Sequence, residues 1–329
     1  MGESPYQLEA TPYRYLPLTA FFFSPLSLLP FKIARIIFFC VNFAAIAAIY
    51  WQIRKRLGDF STLLIGLLFF RFHNHDFGNA QINPVLICLF LYWWKYRRES
   101  LIFSTLAFTL FASFKIIPFA FGLPLLFLGR WKELSWIALW TVTLNFLPIF
   151  FYDHGPLIFQ DWFDQAKLIG YPAVMLSNVQ SLQSALWWFL EGKMEISTFG
   201  LLSPLLQLTL LTGITFLFRK QEDWLIASTL AFTVLISQLA WKHNYLQFIP
   251  LAFLWFREDP AFKERHTRIF YAVFLLGMVI LPSGIATWNR TFSDHMYLMV
   301  WTGLVVIFFR YYRSRSADYS CLPSHAVRD

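Results

Sequence analysis

Apolar residues along this chain fall into runs separated by short polar joints. The runs lie at about 33–52, 60–72, 82–94, 100–113, 116–128, 134–151, 199–218, 224–240, 244–256, 268–288 and 296–309. None alternates apolar and polar with the two-residue period of a lipid-facing strand, so the pattern predicts helices and not a β-barrel. A full crossing takes about 20 apolar residues, and several runs are much shorter. Those are expected to be tilted, broken or partly buried in protein. The expected fold is all-α: one integral membrane domain over 1–329, a polytopic transmembrane helical bundle of about eleven membrane segments, some short or re-entrant.

The joints predict orientation. Basic clusters occur at Arg54-Lys55-Arg56, Lys95/Arg97/Arg98, Arg130/Lys132, Arg219/Lys220, Arg257 to Arg268 and Arg310 to Arg315. Every second joint is basic if the run 100–128 is split at Lys115, and a Lys near Pro118 in an apolar run favours that split. Lys and Arg mark cytoplasmic loops, so these joints and the tail 311–329 are expected to be cytoplasmic, with the N-terminus outside. The membrane is expected to be a bacterial cytoplasmic membrane. Residues 1–31, with Pro17, Pro25 and Pro30, read as an outer-face or interfacial entry segment. The stretch 153–198 reads as an extracytoplasmic loop whose "SLQSALWWFLEGK" is an amphipathic interfacial helix, with Trp187 and Trp188 at the headgroups. An outside start without an export signal is expected to follow an upstream segment or to insert as a reverse anchor.

Composition strengthens the membrane reading. Apolar residues make up 57% of the chain and charged residues 14%, against about 25% charged in soluble domains. Disorder is excluded, and an ordinary soluble domain is a poor fit. The net charge of +8 follows from the loop bias, so no nucleic-acid partner is expected. Three cysteines exclude a disulfide scaffold. No P-loop, dinucleotide fingerprint or zinc-protease motif is present.

The polar chemistry sorts to the outer face. "RFHNHDFGNAQIN" (71–83) is its densest cluster. Asp76 is placed there as a general base or substrate contact, against the simpler reading of a solvated loop with capping residues. His73 and His75 are two apart, which suits neither one helix face nor a zinc spacing, so no metal site is expected and a metal requirement is left open. Gln81 and Asn83 enter the next helix as sugar contacts or caps. Lys115 reads as a contact to a donor phosphate or as a side chain snorkelling to the interface. Asn178, Gln180, Ser181 and Gln183 precede a helix, as caps or hydrogen-bonding partners of acceptor hydroxyls. In "LAWKHNYLQF", Trp241 and Tyr245 suit an aromatic belt, while Lys242 and His243 suit phosphate or sugar. Asp153, Asp161 and Asp164 suit catalysis or a solvated loop.

Several stretches together carry a family likeness: "YRYLPLTAFFFSPLSLLPFKIARIIFFCVN", "GNAQINPVL", "ASFKIIPFAFGLPLLFLGRWKE", "SNVQSLQSALWWFL" and "LISQLAWKHNYLQFIPL". In that order and spacing, over about residues 12–256, the chain resembles glycosyltransferase family 87. These are polytopic enzymes of the GT-C type, including polyprenyl-phosphate-mannose-dependent mannosyltransferases. There are departures. Gly78-Asn79-Ala80-Gln81 carries an insertion, Val179 interrupts Asn-Gln, Gln238 replaces a proline, and the first helix and acidic first outer loop of such enzymes are not found.

The resemblance implies a hexosyltransferase, specifically a mannosyltransferase, acting on the extracytoplasmic face. A polyprenyl-phosphate-linked sugar would be the donor, a glycolipid or glycan the acceptor, and no cofactor is implied. Asp76 would deprotonate the acceptor hydroxyl; Lys115, Arg14 and Lys242 would hold donor phosphate; Gln81, Asn83, Asn178, Gln180, Ser181, Trp241 and His243 would meet the sugars. The competing expectations are a transporter or flippase of a lipid-linked or small polar substrate, which should show internal repeats, and a non-catalytic truncated homologue.

Overall fold

The computed structural model describes residues 16–115, 120–153, 155–165, 181–190, 196–237, 242–259, 263–280 and 298–308. Among these the secondary structure is helical, with no strand. A short α1 (Pro17–Ser27) leads through Pro30 into α2 (Phe31–Gly78). Then follow α3 (Asn83–Tyr96), α4 (Leu101–Phe114), the single-turn α5 (Gly122–Phe127) and α6 (Trp131–Phe146), which tightens into a 3-10 turn, Leu147–Phe150. A helix α7 covers 158–165. Next come α8 (Leu182–Leu190), α9 (Ile196–Phe218) and α10 (Glu222–Ile236). A 3-10 turn, Lys242–Phe248, then opens α11 (Ile249–Glu258). α12 (Arg265–Phe274) runs into a π-helical turn, Leu275–Ile280, and α13 is Leu298–Phe308.

α2 is two antiparallel legs, not one rod. Gly58 breaks it at φ 77° and ψ 178°, a conformation open to glycine, and Thr62 Oγ1 donates to the Gly58 carbonyl at 2.7 Å. The break falls in the basic joint after Arg54-Lys55-Arg56, between the two runs that the pattern separates. The legs then lie side by side. The Phe39 and Phe77 rings are 5.9 Å apart, Tyr50 covers Gly66 at 3.7 Å, and Tyr50 Oη lies 3.1 Å from His73 Nε2.

Among the described residues three stretches are long and apolar enough to cross a membrane: Phe31–Gly78, Trp131–Phe150 and Thr198–Phe218. Their large side chains face outwards: Phe43, Phe60 and Phe70 on α2, Val142 and Phe146 on α6, Leu205 and Phe216 on α9 are all exposed. Exposed apolar surface of this kind belongs against lipid. α10 and α11 sit at the centre instead; nearly all their residues are buried. The short run 244–256 is thus a broken element enclosed by protein, where irregular backbone is tolerated.

The amphipathic stretch 182–190 departs from the interfacial reading. Leu182 to Ala185 are buried, and the helix packs on α10, so its first turn belongs to the protein interior; Phe189 at its other end is exposed. Tyr245 likewise is no member of an aromatic belt. It is fully buried, with its ring 6.0 Å from that of Phe72 and 5.4 Å from that of Phe248.

One end of the bundle is held by charge. Arg97 reaches Glu222 and Asp223, each at 3.3 Å; Arg130 meets Glu222 at 2.7 Å and Arg257 meets Asp223 at 3.3 Å. Arg98 also pairs with Glu222. Indole nitrogens add to it: Trp93 donates to Glu133, Trp94 to Asp223 and Trp224 to Glu258, at 2.7, 2.9 and 2.8 Å. The joints after α3, before α6, before α10 and after α11 therefore meet at one end. That meeting requires α4 and the segment after it to run out and back, with the turn at Lys115.

Two consequences are measurable. Glu222 and Asp223 precede the apolar run of α10. Burial pushes their carboxyls up, but Arg97, Arg98, Arg130 and Arg257 outweigh it and hold them below the usual carboxylate range. Their contribution is complete above that range and is lost as pH falls through their lower folded values. Glu222→Gln removes one of the two carboxylates that hold the nearly buried Arg97 and should cost about 1–3 kcal/mol, read as a lowered unfolding temperature in detergent. At the turn between α2 and α3, Gln81 N–H reaches the Asp76 carbonyl at 3.0 Å and Ala80 N–H the Phe77 carbonyl at 3.1 Å, a Schellman cap with Ala80 at φ 47°. Ala80→Gly relieves that left-handed residue and should raise stability by about 1 kcal/mol in the same assay.

Candidate active site

Asp76 lies on the last turn of α2, 18 residues beyond Gly58, or about 27 Å along the helix. This is the end opposite the arginine cluster. The Schellman turn reverses the chain at once and brings Asn83, the first residue of α3, back against Asp76. Asn83 Nδ2 donates to Asp76 Oδ1 at 2.5 Å. From α4, Lys115 Nζ donates to Asn83 Oδ1 at 2.6 Å. From the 3-10 turn before α11, Asn244 Oδ1 accepts a second bond from Lys115 Nζ, also at 2.6 Å. The chain Asp76–Asn83–Lys115–Asn244 thus ties four elements, the first two joined by one turn and the last 129 residues beyond Lys115.

The arrangement leaves useful valences. Asp76 is 2% exposed, and its Oδ2 has no hydrogen bond among the described residues. Its charge lies within electrostatic reach of Lys115. An ammonium has three protons, and amide oxygens take two of those on Lys115. The third has no acceptor among the described residues. A carboxylate with a free oxygen beside an ammonium with a free proton can take a proton from a hydroxyl and meet an anion within one site.

The site sorts the sequence expectations. Asp76, Asn83 and Lys115 come together. Asn83 does not cap α3, since no side chain caps that helix and its amide is engaged by Asp76 and Lys115. Lys115 is half-buried and hydrogen-bonded in the protein, not extended to an interface. Gln81 donates from Nε2 to the Asn79 carbonyl at 3.2 Å, inside the turn. Ser181 is buried and serves as a cap: Ser184 N–H donates to its Oγ at 3.0 Å. Gln183 is buried on the first turn of that helix. Lys242 and His243 open the 3-10 turn immediately before Asn244. Their side chains, with Arg14, Asn178, Gln180 and Trp241, lie outside the described residues.

Asp153 and Asp164 are exposed, and Asp161 sits on α7. Among the described residues no three His, Cys, Asp or Glu side chains are grouped to hold a metal ion. The residue that sequence reasoning passed over is Asn244. It stood in a stretch already singled out for Lys242 and His243, and a neutral amide gave no signal beside two cationic candidates.

A cleft of about 590 Å³ lies at the other end, lined among others by Trp94, Arg97, Arg98, Glu222, Asp223 and Arg257. Its arginines are matched by carboxylates within it, as an interhelical clasp requires. The buried set around Asp76, by contrast, has reactive groups left over.

Comparison with curated proteins and with solved structures finds no match. The family model of glycosyltransferase family 87 matches residues 13–241. That span contains Asp76, Asn83 and Lys115, and ends three residues before Asn244. The chain is therefore a sugar-transferring enzyme with membrane-embedded character, and it belongs to glycosyltransferase family 87.

Proposed function

We propose that this chain is a hexosyltransferase, specifically a mannosyltransferase, that uses a polyprenyl-phosphate-linked sugar and a glycolipid or glycan acceptor. The observation that carries the proposal is the buried chain Asp76–Asn83–Lys115–Asn244 at the end of the bundle opposite the arginine cluster. Basic joints face the cytoplasm, so this end faces outwards, with the N-terminus outside and the C-terminus inside after about eleven segments of a GT-C-type bundle. The membrane is a bacterial cytoplasmic membrane. Residues 1–31 are the entry segment, 153–198 the outer loop and 311–329 the cytoplasmic tail.

In this reading the acceptor hydroxyl gives its proton to Asp76 Oδ2 as its oxygen attacks the anomeric carbon. The bond from that carbon to the phosphate oxygen breaks, and the lipid phosphate leaves with the electron pair. Asn83 fixes the Asp76 carboxylate through Oδ1. Lys115, anchored by Asn83 and Asn244, offers its remaining proton to the phosphate, where negative charge grows during transfer. Arg14 and Lys242 are further candidates for the phosphate. Gln81, Asn178, Gln180, Ser181, Trp241 and His243 are candidates for the sugars. No cofactor is required by this scheme.

The test is hexose transfer from polyprenyl-phosphate sugars by membranes containing the chain. Asp76→Asn keeps the Asn83 contact but removes the base, and should lower kcat by about 10²- to 10⁴-fold at unchanged protein level. Lys115→Met should reduce kcat strongly as well, with Asn244→Ala giving a smaller loss. Full turnover in Asp76→Asn would remove Asp76 from the role of base. A folded chain inactive with every sugar offered would overturn the donor assignment.

A further inference from the structure

The first leg of α2 carries a polar residue that the scheme above does not use. Asn42 lies on the buried stripe Asn42, Ala45, Ile49 and Ile53, otherwise apolar, and is 1% exposed. Its Nδ2 donates to the Phe38 carbonyl at 3.1 Å, one turn back on the same helix. That bond fixes which way the amide points, because reversing it would set two oxygens face to face. Oδ1 is consequently turned away from the helix backbone, and it has no hydrogen-bond partner among the described residues.

The register of the two legs sets the level of this oxygen. Phe39 meets Phe77, and Tyr50 covers Gly66, so Asn42 stands opposite the turn that carries His73 and Asp76. His73 repeats the pattern. It is 8% exposed, its Nε2 is engaged by Tyr50 at 3.1 Å, and its Nδ1 has no partner among the described residues. Two unsatisfied polar atoms from facing legs therefore sit at the level of the candidate base. Both leg stripes are otherwise lined by core residues such as Ile49, Ile65 and Leu68.

An unpaired buried acceptor costs about 1–3 kcal/mol, which an apolar residue of similar size would not. Asn at position 42 thus works against stability unless something polar is bound there. Water, a phosphate and a sugar differ in what they offer. A phosphate is excluded by Asn42 Oδ1, an acceptor that would face another acceptor. A hydroxyl fits both atoms, since it can donate its one proton to Oδ1 while its oxygen accepts from the imidazole Nδ1–H.

We propose that Asn42 and His73 form a hydroxyl-recognition subsite for the hexose of the donor, beside Asp76. The proposal rests on the transferase reading above. It adds a specificity-determining contact in the first leg of α2, where Asn42 is the amide in the middle of an apolar run.

The test measures binding, not turnover, with the purified chain in nanodiscs. The probes are polyprenyl phosphate alone and polyprenyl-phosphate hexoses carrying mannose, glucose or galactose. In the unaltered chain one hexose should bind more tightly than the bare lipid phosphate. Asn42→Leu should lose about five- to tenfold of that hexose-dependent gain, as one neutral hydrogen bond implies, keep its affinity for bare polyprenyl phosphate, and unfold at a higher temperature. His73→Phe should lose a similar gain, and Asn42→Ala serves if the leucine variant does not fold.

An undiminished gain in both Asn42 variants would mean that Asn42 Oδ1 and His73 Nδ1 meet ordered water only and would overturn the proposal. So would an unaltered chain that gains nothing from any hexose. If Asp76→Asn keeps full turnover while Asn42→Leu loses the gain, the subsite stands and the assignment of the base falls.

Discussion

A single ammonium sets the geometry of the candidate site. Lys115 ends α4 inside an apolar surround, where a bare cation is costly unless polar partners surround it. Its partners come from far along the chain: Asn83 from the start of α3 and Asn244 from the 3-10 turn before α11. Asn83 in turn passes the link to Asp76. Satisfying one charge therefore fixes how the second leg of α2, α3, α4 and the α11 entry stand relative to one another. Packing around it is dense: Phe72, Tyr245 and Phe248 lie in one buried cluster with the surrounding helices.

The opposite end solves a different problem with the same materials. There the arginines of several basic joints would repel each other if left alone. Glu222 and Asp223, in the first turn of α10, collect Arg97, Arg98, Arg130 and Arg257. Acids at a helix N-terminus are also favoured by the helix dipole. Charges there are paired off, whereas at the Asp76 end valences remain open. That asymmetry is why chemistry is assigned to one end and cohesion to the other.

Membership in glycosyltransferase family 87 and the Asp76 cluster are separate observations. The family match concerns residue patterns along the chain. The cluster concerns which of those residues touch. The proposed reaction, which removes a hydroxyl proton and releases a phosphate, calls for a carboxylate and a cation close together in a site shielded from bulk water.

What the sequence by itself determined was the class of the protein and the rhythm of its helices. Apolar runs and basic joints follow from the cost of burying charge in hydrocarbon, a local property of each stretch. They separated the runs 33–52 and 60–72, between which Gly58 breaks the helix, and split 100–128 at Lys115, where α4 ends. They also brought Asp76, Asn83 and Lys115 forward one by one, because a polar residue at the edge of an apolar run is visible by itself. Tertiary structure alone decided that these three meet, that Asn244 joins them, and that Tyr245 packs inside and not at an interface. It also gave Ser181 to helix capping and the first turn of α8 to the interior. Contacts such as Asn83 to Lys115, 32 positions apart, and Lys115 to Asn244, 129 apart, depend on how helices cross and on which legs run antiparallel. Those choices are made by the packing of the whole bundle, and no window of the sequence contains them.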